Sequence, residues 1–252
     1  MNYRTWRYLE RCIETVVSDL SGSSLRYEIN LLDNASGEDL TALSERFPNC
    51  RAFTAEANLG FGGGHNLLAG GTAAPYLLVL NPDVELVEPD SVERLLALVR
   101  GEDRVKAAGP KLVLPDGSPQ PYDHGRLHGA RAQVALKGGH SYWRRTDVRQ
   151  EVAWVSGAAM LIERAAFAAV GGFDERLFLY KEDEDLCLRL RGAGGAVVYE
   201  PAIRIRHIEG VVADRHRELD AATSYFFAKH YADRRARKAF AAAHQTLAYL
   251  RL

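Results

Sequence analysis

The sequence predicts an α/β fold in which a mostly parallel central sheet is flanked by helices. Three observations lead to this prediction. Segments patterned as strands and as helices alternate on short loops through the first half of the chain. The stretch "YLLVLNPDVEL" is an almost continuous apolar run, which is typical of a parallel strand buried on both faces. The chain also has 252 residues, 47% of them hydrophobic, which suffices for a substantial core.

The elements of the first half follow in order. Apolar residues at helical spacing in "RTWRYLERCIETVV" predict a helix, and "YEINLLD" predicts a strand from Tyr27 to Leu32. A helix follows in "EDLTALSERF", with Ser36 or Asp39 as its cap. Next come a strand in "CRAFT", the glycine-rich loop "NLGFGGGHN" with a short helix, the strand "YLLVL", and the helix "DSVERLLALVR" capped by Asp90.

The second half begins with the strand "VKAAGPKLV", followed by an irregular polar excursion over residues 116–150. The stretch "VAWVSGAAMLIERAAFAAV" predicts a strand and then a helix that stops at Gly171 and Gly172. The helix "DLCLRLRGAGG" and the strand "AVVYEPAIRIRH" come next, and a helical tail runs from Leu219 to Leu252. No repeat or linker divides the chain into independent domains.

The composition excludes several classes of function. A net charge of −1 and an isoelectric point near 6.7 give no general attraction to nucleic acid, so no nucleic-acid partner is expected. The three cysteines are widely spaced without a Cys-x-x-Cys pair, which argues against a disulfide framework or zinc site and fits a reducing compartment. No apolar run approaches the roughly 20 residues that cross a bilayer. We expect a cytoplasmic protein, soluble or peripheral at a membrane.

Four adjacent acids, Glu182 to Asp185, stand directly before the apolar residues of a predicted helix. The first turn of a helix favours such charges by about 0.3–1 kcal/mol each, because the helix N-terminus is partly positive. One interpretation is therefore a capped, solvated helix end. The other is a functional cluster, because the preceding "FDERLFLY" places the acids at the edge of a core. Crowding and burial there raise carboxylate pKa values toward those that suit a general base.

Two further polar positions follow predicted strands. Asp83 lies in "LNPDVEL", at the kind of sheet edge where ligands bind, and an aspartate there can hold a divalent cation that binds phosphates. A simple Asn-Pro-Asp turn is the alternative. His207 ends the strand "AIRIRH" and could join Asp83 on a metal, although a lone histidine is more often structural.

The glycine-rich loop permits a different hypothesis. Gly60 and Gly62, followed by Asp83, mimic a dinucleotide-binding fingerprint, with a spacing close to the ~20 residues which that fingerprint requires. However, His65 replaces the third glycine, and a dinucleotide site leaves the acidic cluster and His207 unexplained. A nicotinamide or flavin site therefore ranks second.

Taken together and in this order, the segments resemble family 2 glycosyltransferases of the GT-A fold, and in particular the bacterial rhamnosyltransferase group. The matching segments are "LLDNASGED", "NLGFGGGHN", "LNPDVEL", "HIEG" and the long block 155–194, and they span nearly the whole chain. The resemblance implies one compact Rossmann-like nucleotide-sugar transferase domain. Residues 1–105 would form its donor-binding half, 106–210 its acceptor-binding and catalytic half, and 211–252 a C-terminal helical tail.

The resemblance also implies roles for the acids. Asp183 matches the family's catalytic base, which deprotonates the acceptor hydroxyl. Glu182 would orient the acceptor, and Asp185 would be a cap or structural acid. The implied acceptor-binding residues are Glu182, Trp154 and Gly157.

For the donor, the resemblance implies a divalent metal, Mg²⁺ or Mn²⁺. Asp83 occupies the last acid of the family's DxD motif, Asn81 replaces the first acid, and His207 would complete the coordination. The implied donor-binding residues are Asn2, Tyr3, Asp33, Asn58, Gly60, Asn66, Asn81 and Asp83.

One departure concerns the amino end. The resemblance implies an apolar strand directly before Asn2 and Tyr3, in the middle of the sheet, and Met1 is the one residue of it in this sequence. The fold is therefore expected to lack its usual first strand. Neighbouring apolar strands and a backbone edge would then be left exposed.

The implied reaction is inverting, metal-dependent transfer of a sugar from a nucleotide-diphosphate donor to a hydroxyl of a polysaccharide or lipid-linked glycan. Among donors, dTDP-L-rhamnose is favoured. Two alternatives stay open: a dinucleotide-dependent oxidoreductase, and a disabled transferase that acts as a binding protein. A dimer is possible.

Two basic, aromatic segments have either a structural or a surface interpretation. They are the tail "YFFAKHYADRRARKAF" and a group in the excursion: Arg126, Arg131, Lys137, Tyr142, Trp143, Arg144 and Arg145. The tail would pack on the domain, or else contact a membrane or a partner helix. The loop would be solvated, or else contact an acidic acceptor or a membrane surface.

Overall fold

The computed structural model describes residues 1–47, 49–126, 143–208 and 215–230. The strands are β1 (Ile29–Asp33), β2 (Cys50–Thr54), β3 (Tyr76–Leu80), β4 (Val84–Leu86), β5 (Val105–Val113), β6 (His124–Gly125), β7 (Gln150–Glu151), β8 (Trp154–Val155), β9 (Ala159–Glu163) and β10 (Ala196–His207). The helices are α1 (Trp6–Asp19), α2 (Thr41–Arg46), α3 (Gly60–Gly70), α4 (Ser91–Gly101), α5 (Arg164–Ala169), α6 (Glu182–Gly192) and α7 (Arg215–His230). The predicted α/β class is confirmed.

The main sheet is mixed. Its strand order is β3-β9-β5-β10-β4, and β7 pairs with β10 off this path. The strands β5 and β10 run parallel, whereas β9 and β4 run antiparallel to their neighbours. Because β4 pairs with β10 and β3 with β9, strands from both halves of the chain share one sheet and one core.

The strands β1 and β2 form a separate parallel pair. Between β1 and β3 lies a cavity of about 630 Å³. The helices α1 and α3 cover opposite faces of β1, since Leu31 packs with Leu9 of α1 while Leu32 points toward Gly64 of α3. As expected from the sequence, the sheet is interrupted: β1 and β2 are separate from the main sheet. The largely apolar cavity lies at this interruption, between β1 and β3.

The N-terminus of α4 corrects one predicted cap. Asp90 precedes the helix in a left-handed conformation, with φ of 59°, and its side chain makes no capping hydrogen bond. Instead, the carboxylate of Asp19, at the end of α1, accepts hydrogen bonds from the N–H groups of Ser91 and Val92 at 2.8 and 3.0 Å. The cap comes from a helix distant in sequence, so local spacing could not reveal it.

The predicted irregular excursion contains short strands within its described part. His124–Gly125 pairs with β8, and Gln150–Glu151 pairs with β10. The positions Arg131, Lys137 and Tyr142, and the tail after His230, lie outside the described residues. Within the described part of the chain, no helix is long and apolar enough to cross a membrane.

The Asp19 cap can be tested by comparing two substitutions. Asp19→Ala removes the acceptor for two helix N–H groups and is expected to destabilise the protein by about 1 kcal/mol. For a chain of this size, the melting temperature should fall by about 2–4 °C. Asp90→Gly is the matched control, since glycine relieves the left-handed backbone and no capping bond is lost. Equal losses for the two variants, measured by thermal unfolding, would contradict this assignment of the cap.

Candidate active site

The turn between β8 and β9 brings three parts of the chain together. The N–H of Gly157 donates to Oδ2 of Asp183 at 3.0 Å, and the carbonyl of Ala158 accepts a hydrogen bond from the N–H of Asn81 at 2.9 Å. A Cβ atom on Gly157 would lie 3.1 Å from the ring of Phe61, so the glycine-rich segment, which is helical from Gly60 onward rather than a loop, also packs against this turn. The acidic cluster, the Asn-Pro-Asp loop and the glycine-rich loop thus converge on one turn.

All four adjacent acids lie in the first turn of α6, as predicted. Each has a different environment. Oε2 of Glu182 has no hydrogen-bond partner among the described residues, and this side chain is buried. Partly exposed Asp183 accepts from the N–H groups of Gly157 and of Glu184. Glu184 pairs with Lys181.

The surroundings of Glu182 and Asp183 shift the pKa values of these two acids by different amounts. Burial, with the neighbouring charge of Asp183, raises the pKa of Glu182 well above its usual value. Burial also raises the pKa of Asp183, but the N–H groups of Gly157 and Glu184 oppose that rise by stabilising the ionised form. Both pKa values are raised, and that of Glu182 the more strongly, so Glu182 is the member of this coupled pair that takes a proton more readily.

The fourth acid, Asp185, anchors the C-terminal helix. It is fully buried, and its carboxylate contacts Arg189 of α6 at 2.6 Å and Lys229 and His230 of α7 at 2.6 and 2.5 Å. Burial opposes ionisation, yet the hydrogen bonds from these cationic groups keep the pKa of Asp185 below its usual value. Asp185 is therefore a structural acid, two residues after the candidate base Asp183.

The backbone before α6 is held in an uncommon conformation. Tyr180 and Lys181 both have positive φ angles, 71° and 69°. For residues that carry a side chain, this region costs free energy and persists where the surroundings enforce it. Here the chain reverses so that Glu182 begins α6 directly against the turn at Gly157.

The glycine-rich loop is fixed by a buried asparagine. The side chain of Asn34 donates to Oδ1 of Asn58 at 2.9 Å and accepts from the N–H of Leu59 at 2.9 Å. At Gly60, φ is +71°, and a Cβ atom would lie 2.4 Å from the carbonyl oxygen of Phe178. Glycine is required there because the loop touches the backbone of the segment that leads into the acids.

The predicted donor residues at the amino end form a hydrogen-bonded unit. The side chain of Asn2 is fully buried and donates to Asp33 at 3.0 Å and to Glu38 at 2.8 Å. Asp33 also accepts from the N–H groups of Ser36 and Gly37, each at 3.1 Å. These hydrogen bonds fix the conformation of the loop after β1, which begins at Asn34.

Asp83 and His207 lie side by side, as the sequence predicts for a shared site. Oδ1 of Asp83 is 3.3 Å from Nε2 of His207, and both side chains are largely buried. Asn81 contacts the same nitrogen at 3.4 Å. The side-chain carbonyl of Gln120 accepts a hydrogen bond from Nδ1 of His207 at 2.8 Å, which orients the imidazole so that Nε2 faces Asp83.

Three other predicted residues have mainly structural contacts. The amide of Asn66 binds the backbone of Phe173 through both its oxygen and its nitrogen, at 2.9 Å each. Trp154 is buried with its ring over Gly125. The ring of Tyr3 stacks beneath the guanidinium of Arg4, 5.4 Å from its carbon.

Sequence reasoning missed Asn34, Gln120 and Asp123. Buried Asp123 accepts hydrogen bonds from Trp143 at 2.8 Å and from Tyr199 at 2.9 Å, and its carbonyl accepts from the N–H of Ser156, just before Gly157. Asn34 could have been found, because it directly follows Asp33 in the matching segment "LLDNASGED". Gln120 and Asp123 lie in a stretch without periodicity, and no local signal identifies them.

Comparison with known proteins decides the family. The family model described as "Glycosyltransferase like family 2" matches residues 2–240. The chain belongs to glycosyltransferase family 2. This transferase is 36% identical over 226 residues to the N-acetylglucosaminyl-diphospho-decaprenol L-rhamnosyltransferase of Mycobacterium tuberculosis, covering 77% of this chain and 71% of that relative. It is 46% identical over 56 residues to rhamnosyltransferase WbbL of Escherichia coli, covering 22% of this chain and 21% of WbbL.

Two solved structures show the fold of this glycosyltransferase. The mannosyltransferase PcManGT from Pyrobaculum calidifontis, in complex with GDP-Man and Mn²⁺, superposes with a TM-score of 0.62 at 14% identity over 92% of this chain. GalNAc-T7 with UDP, GalNAc and Mn²⁺ gives 0.61 at 18% identity over 82%. This chain spans 62% and 42% of those two structures. The predicted family, its rhamnosyltransferase-like group and the GT-A fold are confirmed, which leaves the oxidoreductase hypothesis without support.

The unpartnered carboxyl of Glu182 predicts a pH-dependent stability difference. Because the pKa of Glu182 is raised on folding, its stabilising effect is complete below the unfolded value of about 4.3 and is lost as pH rises through the folded value. Glu182→Gln cannot ionise, so it avoids this loss. We expect the melting temperature of the variant, relative to the unsubstituted protein, to increase steadily from pH 4 to pH 8. A difference that does not change with pH would contradict the assigned protonation.

Proposed function

We propose that this glycosyltransferase transfers L-rhamnose from dTDP-L-rhamnose to a hydroxyl of a lipid-linked glycan, with inversion at the anomeric carbon. The observation that carries the proposal is the environment of Asp183, a partly exposed carboxyl group that accepts hydrogen bonds from two backbone N–H groups. The sugar and the lipid-linked acceptor are supported by the similarity to the mycobacterial decaprenol-linked L-rhamnosyltransferase.

In the proposed step, Asp183 is the general base. It takes the proton of the acceptor hydroxyl while the acceptor oxygen forms a bond to the anomeric carbon of the donor. The bond from that carbon to the diphosphate oxygen breaks on the opposite side, and dTDP leaves with the bonding electrons. Glu182, holding a proton, donates a hydrogen bond instead of competing for the acceptor proton.

The pair Asp83 and His207 fits a divalent cation. Metal bonds of about 2.1 Å at a right angle separate adjacent ligand atoms by about 3 Å, close to the 3.3 Å between Oδ1 and Nε2. The described residues contain no group of three or more His, Cys, Asp or Glu side chains that could hold a metal ion. Two protein ligands suit Mg²⁺ or Mn²⁺, since the diphosphate of the donor can provide others.

We therefore assign Asp83 and His207 as the metal-holding residues, with Gln120 orienting the imidazole. When bound, the cation would neutralise the charge of the departing diphosphate. Asn2, Asp33, Asn34 and the loop around Gly60 would form the walls of the nucleotide-sugar pocket. Both solved relatives contain Mn²⁺, which supports this proposal at the level of the fold.

The acceptor class also bears on location. A lipid-linked glycan is embedded in a bilayer, so we propose a cytoplasmic enzyme that works peripherally at the inner face of the plasma membrane.

Asp183→Asn is the direct test of the base. The variant keeps a side-chain oxygen for the N–H of Gly157, so it should fold and bind dTDP-L-rhamnose normally. Its transfer rate should fall by about 10²–10⁴-fold. Glu184→Gln is the matched control, because that neighbour pairs with Lys181, and it should retain transfer within a few-fold. Near-normal transfer by Asp183→Asn, measured with a polyprenyl-diphospho-N-acetylglucosamine acceptor, would rule out Asp183 as the base.

The metal pair can be tested by binding alone. Titration of Mn²⁺ together with dTDP should show mutual enhancement in the unsubstituted protein and none in Asp83→Asn. Gln120→Ala should weaken Mn²⁺ binding by about 10–100-fold, because a histidine ligand depends on its outer hydrogen bond. Glu85→Gln, a nearby carboxylate that pairs with Arg206, should bind as the unsubstituted protein does. Unchanged Mn²⁺ binding in Asp83→Asn would overturn the assignment.

A further inference from the structure

The segment 120–124 connects the two halves of the proposed site. It follows β5, the central strand of the main sheet, and therefore lies at the carboxyl edge where α/β proteins bind ligands. Its first residue, Gln120, accepts a hydrogen bond from His207 of the metal pair at 2.8 Å. Three residues later, the carbonyl of Asp123 accepts from the N–H of Ser156 at 2.9 Å, directly before the glycine that binds the candidate base. One short segment thus reaches from the metal pair to the base.

Tyr122 lies between these two contacts. It directly precedes Asp123 and is two residues from Gln120. Since consecutive Cα atoms are about 3.8 Å apart, its Cα is at most about 7 Å from that of Gln120. Both neighbours are buried, whereas Tyr122 is 45% exposed. An exposed aromatic side chain is therefore placed where the metal pair and the base come closest along this segment.

The backbone of Tyr122 is left-handed, with φ of 62°. For a bulky residue this conformation costs free energy and persists where the surroundings enforce it. Here the buried carboxylate of Asp123 enforces it, because that carboxylate accepts hydrogen bonds from the N–H of Leu112 at 3.2 Å, from Trp143 at 2.8 Å and from the hydroxyl of Tyr199 at 2.9 Å. The position of the Tyr122 side chain is consequently fixed before any ligand binds.

Trp143 places a second ring beside Tyr122. The two ring centroids are 6.2 Å apart and the ring planes are inclined by 48°, while the hydrogen bond to Asp123 fixes the indole. Trp143 is itself partly exposed. Two inclined, partly exposed rings offer apolar surface to the flat C–H face of a sugar ring, and the sugar hydroxyls at its edge can stay hydrated.

We propose that Tyr122, with Trp143 beside it, is the platform that binds the sugar ring carrying the attacking hydroxyl. This inference rests on the proposed function, because the assigned base and metal pair make the segment 120–124 a border of the reaction site. A general base must lie within hydrogen-bond reach of the hydroxyl that it deprotonates. A sugar ring packed on Tyr122 lies on the side of the base that also faces the metal pair, where the donor diphosphate would be held.

The surroundings of the platform favour a sugar over a lipid chain. Arg144, Arg145 and Asp147 follow Trp143 and are all exposed. Such a polar border can hydrogen-bond to sugar hydroxyls, whereas a prenyl chain would leave these groups without partners in the complex.

The test separates the ring of Tyr122 from its hydroxyl and its backbone. Tyr122→Asn removes the ring, and asparagine adopts the left-handed backbone readily, so the melting temperature should change by less than about 2 °C. With a polyprenyl-diphospho-N-acetylglucosamine acceptor, the acceptor KM should rise about 10-fold. The value of kcat and the Kd of dTDP with Mn²⁺ should stay within about twofold, because the ring contributes to acceptor binding alone. Tyr122→Phe, the matched control, keeps the ring and should behave as the unsubstituted protein does.

A second measurement needs no transfer. In saturation-transfer NMR, methyl β-N-acetylglucosaminide should receive signal from the unsubstituted protein and from Tyr122→Phe, but not from Tyr122→Asn. If this dependence on Tyr122 is found while rhamnose is not transferred, the platform is supported and the proposed function fails.

Four results would overturn the platform. Rhamnose transfer with an unchanged acceptor KM in Tyr122→Asn would leave the proposed function intact without it. Equal losses in Tyr122→Asn and Tyr122→Phe would assign the effect to the hydroxyl. A large fall in melting temperature for Tyr122→Asn would make the ring structural. An equal weakening of polyprenyl phosphate binding, which involves no sugar, would assign the rings to the lipid.

Discussion

The hydrogen bond from the N–H of Gly157 to Asp183 is the contact on which the site depends. It joins the turn between β8 and β9 to the first turn of α6, while the next carbonyl in the same turn holds Asn81. One short turn therefore sets the position of Asp183 relative to the loop that carries Asp83. Since Gly157 also packs on Phe61, a side chain there would push the first turn of α3 away from Asp183.

Four adjacent acids are tolerated in one helical turn because each carboxyl group has different neighbours and hydrogen-bond partners. The pKa of Glu182 is raised well above its usual value, Asp183 accepts hydrogen bonds from two N–H groups, Glu184 pairs with Lys181, and Asp185 contacts Arg189, Lys229 and His230. The helix N-terminus favours all four charges, but by an amount too small to offset burial of a carboxylate on its own. The specific partners therefore decide in which direction each carboxyl pKa is shifted.

The sequence predicted the residues that lie in short, ordered segments. The sequence placed Asp183, Gly157, Asp83 and His207 in one predicted site, and the structure brings Gly157 to Asp183 and Asp83 to His207 because their neighbours form regular strands and helices whose ends meet. The cap of α4 was missed because Asp19 is separated from it by most of the donor half. Likewise, Gln120 orients His207 from a stretch without periodicity, and only the folded chain shows that contact.

The anchoring of α7 on Asp185 has a thermodynamic consequence. If α7 moved away, Lys229 and His230 would leave a fully buried carboxylate with Arg189 as its remaining partner among these cations. Breaking a buried ion pair in this way costs about 3–5 kcal/mol. Asp185 and Asp183 lie in the same first turn of α6, so this cost falls on the turn that also holds Asp183. A molecule that binds only when α7 is displaced would therefore have part of its binding free energy offset by this cost.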